Sequence, residues 1–378
     1  MTTAALLGLA GFLWGTPPER RADDETRHVI VQAANLDGAT AAVRAVGGEV
    51  THQLGIINAV GAHLTLDEVR RVEAVDAMVR VHADRQTTVA GKKKNRTAST
   101  STTSTTSKTA GNVFSVPPTY IGQVIDASTL HEQGLRGAGV AVAVIDTGVW
   151  DHKSVRDDTN GDTRVVATYD AITNEASERE QDLDNYGHGT HVASIVMANT
   201  QDVFGRYVGV APDANLVGVK AFDDNGQGTY ADVIRALDWV VANKDAYGIR
   251  VLNLSFSAPP QSHYWDDPLN QAVMQAWQTG IVVVASAGNT GPNPMTIGVP
   301  GNLLLRRADR RGLRQAGTGG TGWTRPRHHE HVSRHRQPAS RIQHQQAVLH
   351  DVRHVAIGGG GERRGSVDDP AGPVFDAR

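Results

Sequence analysis

Val142-Ala-Val-Ile-Asp-Thr-Gly-Val149 decides the fold. The apolar run Val140 to Ile145 leads straight into an acid and a turn glycine, which predicts a strand buried on both faces that ends in a carboxylate. The same pattern recurs outward. Leu216 to Val219, Val251 to Leu254 and Ile281 to Ala285 are further apolar strands. Thr190 to Ala198, Tyr230 to Ala242 and Leu269 to Trp277 carry apolar residues at helical spacing. Strands alternating with helices predict an α/β domain with a parallel sheet. In such sheets reactive groups collect at the carboxyl ends of strands, where Asp146 and Asn289 fall.

Three motifs follow in order: Asp146-Thr-Gly148, Gly187-His-Gly-Thr-His191 and Ser286-Ala-Gly-Asn289. An acid that orients an imidazole base, a base that moves a proton and an amide that steadies an oxyanion are three parts of acyl-transfer chemistry. Each motif alone reads equally well as a capped turn or a helix start. Gly-His-Gly-Thr-His also lacks the glutamate of the zinc motif His-Glu-x-x-His, so His191 is expected to be a buried helix residue.

Together with Gly209-Val-Ala-Pro-Asp-Ala214, these segments resemble the subtilases, the subtilisin-like serine proteases, whose order is also Asp, His, Asn. The resemblance implies a parallel-sheet catalytic domain, here incomplete, acting on protein or peptide substrates. His188 would be the general base, Asp146 its orienter and Asn289 the oxyanion donor. Gly226-Gln-Gly-Thr-Tyr230 and Leu254-Ser-Phe-Ser257 resemble the two edge segments between which an extended substrate adds as a strand. Gly226, Gly228, Leu254, Ser255 and Phe256 are therefore the candidate substrate contacts. Ser257 stands where the family usually has glycine. Subtilases often bind calcium, and the oxygen-rich loop Asp157 to Asp162 offers Asp158, Asn160 and Asp162 as ligands; a solvated acidic turn is the competing reading.

Upstream, residues 23–90 read as βαββαβ, a small α+β ferredoxin-like unit. Its strands are His28 to Gln32, Glu49 to Thr51, Ile56 to Leu64 and Met78 to His82. Its helices are Ala39 to Val46 and Leu66 to Val75, the second behind a Thr65/Glu68 capping box. Placed before a subtilase domain, this unit is expected to be an inhibitory prodomain acting in cis. Residues 91–112 are rich in Ser and Thr and predict a flexible linker to the peptidase domain at 113–302. Residues 1–22 hold an apolar stretch, Ala4 to Trp14, of signal-peptide length but without a basic start, which points to secretion or to an unstructured N-terminus.

Composition narrows the function. The chain of 378 residues has no cysteine, which excludes disulfides, thiolate metal sites and a thiol nucleophile. No apolar run is long enough to span a membrane, and no basic surface interleaved with aromatics suggests nucleic acid.

The text changes at residue 303. Residues 303–378 contain 14 Arg and seven His but no Lys, Tyr, Met or Asn, and no nucleophile motif. This bias is expected of a GC-rich gene read out of frame. Codons permitted for Arg341 to Gly360, read one base later, can encode a G-T-S nucleophile motif whose serine codon straddles Val355 and Ala356. The expectation is a serine endopeptidase precursor that is frameshifted or truncated before its serine and inactive as written. The competing class is a pseudoprotease or a prodomain-type inhibitor.

Overall fold

A computed structural model describes residues 25–89, 121–150, 152–156, 160–177, 183–202 and 204–303. The N-terminal stretch, the Ser/Thr linker, the Arg-rich tail and Asp158 lie outside these residues. The chain divides into two compact units between Asp84 and Arg85.

The smaller unit runs β1 (Arg27–Gln32), α1 (Leu36–Ala45), β2 (Glu49–Leu54), β3 (Ala59–Leu64), α2 (Leu66–Val75) and β4 (Arg80–Ala83). Its antiparallel sheet has the order β2-β3-β1-β4. Val29, Val31, Val60 and Leu64 project from one face of that sheet into a core with Ala39, Val43 and Val72 of the helices. The Thr65 hydroxyl accepts from Glu68 N–H while the Glu68 carboxylate accepts from Thr65 N–H, so α2 starts with the capping box its sequence predicts.

Several boundaries differ from the sequence reading: α1 starts at Leu36 behind an Asn35 cap, and β2 runs on to Leu54. The run from Ile56 is broken by a short 3-10 turn, Gly55–Ile57, and by left-handed Asn58, so β3 begins only at Ala59. Asn tolerates that conformation where a β-branched residue would not. The last strand starts at Arg80 because Asp76 folds back on Met78 N–H at 2.9 Å and holds the preceding residues in a turn.

The larger unit opens with β5 (Gln86–Val89), so residues 85–89 group with the peptidase part and not, as the sequence suggested, with the small unit. Then follow α3 (Ile121–Val124), α4 (Ala127–Glu132), β6 (Ala141–Asp146), β7 (Val165–Asp170), β8 (Glu175–Ser177) and α5 (His188–Met197). The series continues with β9 (Asn215–Lys220), β10 (Gln227–Thr229), α6 (Tyr230–Asn243), β11 (Ile249–Leu254), β12 (Phe256–Ser257), α7 (Pro268–Gln278) and β13 (Val282–Ala285). Six strands form one sheet in the order β13-β11-β6-β9-β7-β8, parallel except for β8. β6 is central and buried along its whole length, as its uninterrupted apolar sequence requires. β7 and β8 were not anticipated. Val165-Val-Ala-Thr-Tyr-Asp170 mixes polar residues into its run, Asp170 accepting the Ile172 N–H at 2.8 Å in the turn that follows, and this weakens the apolar signal.

Candidate active site

The parallel register brings the ends of β6 and β11 to one level: Leu254 lies beside Ile145 and also beside Ala285 of β13. Asp146 is therefore the last residue of the central strand, paired with Lys220 of β9. Its side chain is fully buried. Gly148 turns the chain away with φ +107°, a left-handed conformation in which an added Cβ would lie 2.6 Å from Leu183 O.

The helix α5 begins at His188 and packs its first turn directly on this strand end. A Cβ at Gly189 would sit 2.1 Å from Gly148 O, so only glycine lets helix and turn approach this closely. His188 Nδ1 lies 2.7 Å from Asp146 Oδ1 and 2.9 Å from Oδ2. An ionised carboxylate only accepts, so the proton belongs on Nδ1 and the neutral ring carries its lone pair on Nε2. Burial pushes the Asp146 carboxyl above its ordinary value, while the His188 bond and the Thr147 N–H at 2.8 Å pull it back.

A second acid, which the sequence reading passed over, frames the pair. Asp184 is buried and accepts from Thr147 Oγ1 at 2.8 Å, Gly187 N–H at 2.7 Å, Thr190 N–H at 2.8 Å and Thr190 Oγ1 at 2.6 Å. It thus satisfies donors at the start of α5 that the helix itself leaves unpaired. Thr147 Oγ1 also accepts Gly189 N–H at 3.0 Å. Lys220 at the end of β9 donates to Thr147 O at 3.3 Å and Leu183 O at 3.0 Å, tying both turns to the sheet. The N-cap of α5 is Gly187, and Asp184 lies three residues before it, outside the position where a capping residue is read from sequence.

The remaining candidates separate. Asn289 follows β13 at the same end of the sheet and is exposed. Leu254 is fully buried within the sheet, its carbonyl accepting Ser286 N–H at 3.0 Å. Ser255 accepts from Asn253 Nδ2 at 2.7 Å. Gly226, Gly228 and Phe256, by contrast, border a groove already filled by β5. In this sheet β5 lies antiparallel between β10 and β12, with Gly228 opposite Thr87 and Phe256 opposite Val89. Val89 N–H donates to Gly226 O at 3.1 Å, and Tyr230 N–H to Arg85 O at 2.9 Å.

His191 is exposed, contrary to the sequence reading. Gly189, Thr190, Ala193, Val196 and Met197 supply the buried face of α5, and His191 points about 100° away from Thr190 around the helix. Of the calcium candidates, Asp158 lies outside the described residues. Asn160 and Asp162 bond to one another, Nδ2 to Oδ2 at 2.9 Å and Oδ1 from the Asp162 N–H at 3.0 Å. Among the described residues no group of three His, Asp or Glu side chains is placed to hold a metal.

Residues 137–304 match the subtilase family of peptidases, Peptidase_S8. This stretch contains the Asp146–His188 pair, the framing Asp184 and both groove segments. Residues 137–304 form a subtilase domain. The chain is similar to serine protease AprX of Bacillus subtilis, 38% identical across 45% of this chain and 37% of that protein. It is similar also to the thermostable alkaline protease of Halalkalibacterium halodurans, 28% identical across 77% of this chain and 66% of that one. Fervidolysin from Fervidobacterium pennivorans, a keratinolytic enzyme related to subtilisin, aligns at 25% identity and TM-score 0.49 over 70% of this chain and 40% of its own. The chain spans 37% and 66% of the two curated relatives' lengths. Both of these relatives are proteases by name, AprX a serine protease.

Proposed function

We propose that this chain is the precursor of a subtilisin-class endopeptidase, carrying the acid–base half of the catalytic centre, and that as written it does not hydrolyse peptides. The observation that carries this reading is the buried Asp146 carboxylate held 2.7 Å from His188 Nδ1. Such a pair fixes the tautomer and stabilises the imidazolium that forms when Nε2 takes a proton from a serine hydroxyl. Nε2 then returns that proton to the leaving amine, and water repeats the cycle on the acyl-enzyme. Asn289, at the same end of the sheet, is the amide proposed to donate to the oxyanion.

The groove between β10 and β12 is the proposed substrate site. Its occupation by β5 supports the reading, since a peptide strand is held there by ladder bonds on both sides. In the full precursor the chain's own residues 86–89 then block the site in cis. Cleavage in the segment after Val89 is the proposed activation step. The Ala4 to Trp14 stretch supports export of the precursor.

Labelling by a serine-directed phosphonate tests the proposal. The chain as written should take no stoichiometric label. A gene whose frame is restored after Asn302, so that G-T-S follows Asn289, should yield a chain that is labelled and hydrolyses casein. Stoichiometric label on the chain as written would overturn the claim of inactivity, and full activity of a restored His188→Ala chain would overturn the role of the pair.

A further inference from the structure

The N-terminal end of the filled groove holds one side chain in a way the ladder bonds do not require. Arg85 enters a recess made by Asp267 and Tyr230. Its Nη2 pairs with Asp267 Oδ2, its Nη1 reaches Pro259 O at 3.4 Å, and its guanidinium carbon lies 4.5 Å above the centre of the Tyr230 ring. Asp267 is only 1% exposed and Tyr230 is fully buried. The work of Asp267 is divided between its two oxygens. Oδ1 caps α7, accepting from Leu269 and Asn270 N–H at 3.1 Å each, while Oδ2 serves Arg85 and receives Tyr230 O–H at 3.4 Å. Burial and the neighbouring carboxylate push the Tyr230 phenol well above its ordinary value, so it stays a donor at any working pH.

The direction of β5 places this recess relative to the chemistry. The strand runs from Arg85, beside Tyr230, to Val89, beside Phe256. Phe256 is two residues past Leu254, which lies level with Ile145 just before Asp146. The recess is therefore upstream of the catalytic pair, four residues before the groove residue at Val89.

We propose that Asp267 and Tyr230 form a selectivity subsite for arginine in extended peptides, read on the N-terminal side of the bond to be cut, and that Arg85 occupies it in cis. This deepens the groove assignment above and rests on it. When β5 leaves, Asp267 remains a buried carboxylate without its cation, and an incoming peptide regains the pair only if it brings a guanidinium to that position. Lysine matches less of it. A point ammonium can meet the carboxylate but cannot also stack its plane on the ring and reach Pro259 O.

The test uses the full chain with β5 expelled by Arg85→Ala, Thr87→Asp and Val89→Asp, since Thr87 and Val89 are buried and cannot accept a charge. Loss of hydrogen-exchange protection across residues 86–89 verifies the expulsion. A fluorescent peptide with the chain's own sequence Ala-Asp-Arg-Gln-Thr-Thr-Val-Ala is then titrated against versions with Lys or Ala in place of Arg. The Arg peptide should bind at least about tenfold more tightly than the Ala peptide, with Lys between them. In a chain that also carries Asp267→Asn, which keeps the α7 cap but removes the charge, that preference should vanish. Equal binding of all three peptides would overturn the subsite and leave the groove standing. Binding of none would overturn the groove and the subsite with it.

Discussion

Asp184 holds Thr190 twice, accepting its backbone N–H at 2.8 Å and its hydroxyl at 2.6 Å. The residue that starts α5, His188, is thereby positioned by an acid that never touches it. Asp184→Ala should remove these bonds together with those to Gly187 and Thr147, at a cost of about 2–4 kcal/mol for a buried acceptor serving several donors. Asp184→Asn keeps one oxygen and should cost less. Urea unfolding of the full chain reads both. An Ala variant as stable as the parent would show that α5 is placed by apolar packing alone.

In a frame-restored chain the same frame should be visible in kinetics. His188→Ala or Asp146→Ala should abolish most of kcat and leave KM little changed, because both groups act on the transition state. Asn289→Ala should lower kcat by about 10² to 10³, typical of one lost oxyanion donor. A rise in KM with unchanged kcat for Asn289→Ala would reassign that residue to ground-state binding.

The buried acid also predicts a pH dependence. With Asp146 raised above its ordinary 3.8, the folded chain holds a proton that the unfolded chain has released, so stability falls as pH rises from 3.8 through the higher value. His188 opposes the shift, so a His188→Gln background isolates it. There, Asp146→Asn should gain stability relative to Asp146 as pH increases from about 4, because Asn carries no charge to desolvate. A pH-independent difference between the two chains would mean that Asp146 is not raised.

Much of the subtilase domain was legible because its signals are local. A β-branched run ending in Asp-Thr-Gly states both the strand and its functional end, and Gly187-His-Gly states that a helix must pack against that end at backbone distance. The sequence hid what depends on partners far along the chain. Arg85 reads as a charge between a small unit and a linker, yet its partner is Asp267, 182 residues away. β5 has no apolar alternation to announce it: Gln86-Thr-Thr-Val89 is a strand only because β10 and β12 receive it on both sides. Leu254 adjoins the groove in sequence, but it ends β11 inside the large sheet, whereas β5 finds its partners only from Phe256 onward.

The change of composition at residue 303 predicts a one-base slip in the gene near codon 302. Tail residues would then be meaningless for folding, and verified DNA should permit G-T-S with its serine codon across Val355 and Ala356. One intact frame with codons that forbid that reading would sink the idea.

The outer strand of the sheet carries the last expectation. Among the described residues β13 pairs only with β11, and Val282, at the start of this strand, is 36% exposed. An apolar strand with one side of its backbone unpaired is a template for a second chain, and the neighbouring Val283 and Val284 raise its β propensity. At micromolar concentration the chain should self-associate and bind an apolar dye. Val282→Lys places a charge at that edge without entering the core, so it should suppress association while shifting the unfolding midpoint by no more than about 0.5 kcal/mol. Light scattering across a dilution series measures the first effect and urea unfolding the second. If the lysine variant associates as strongly as the parent, another surface drives the process and β13 is protected.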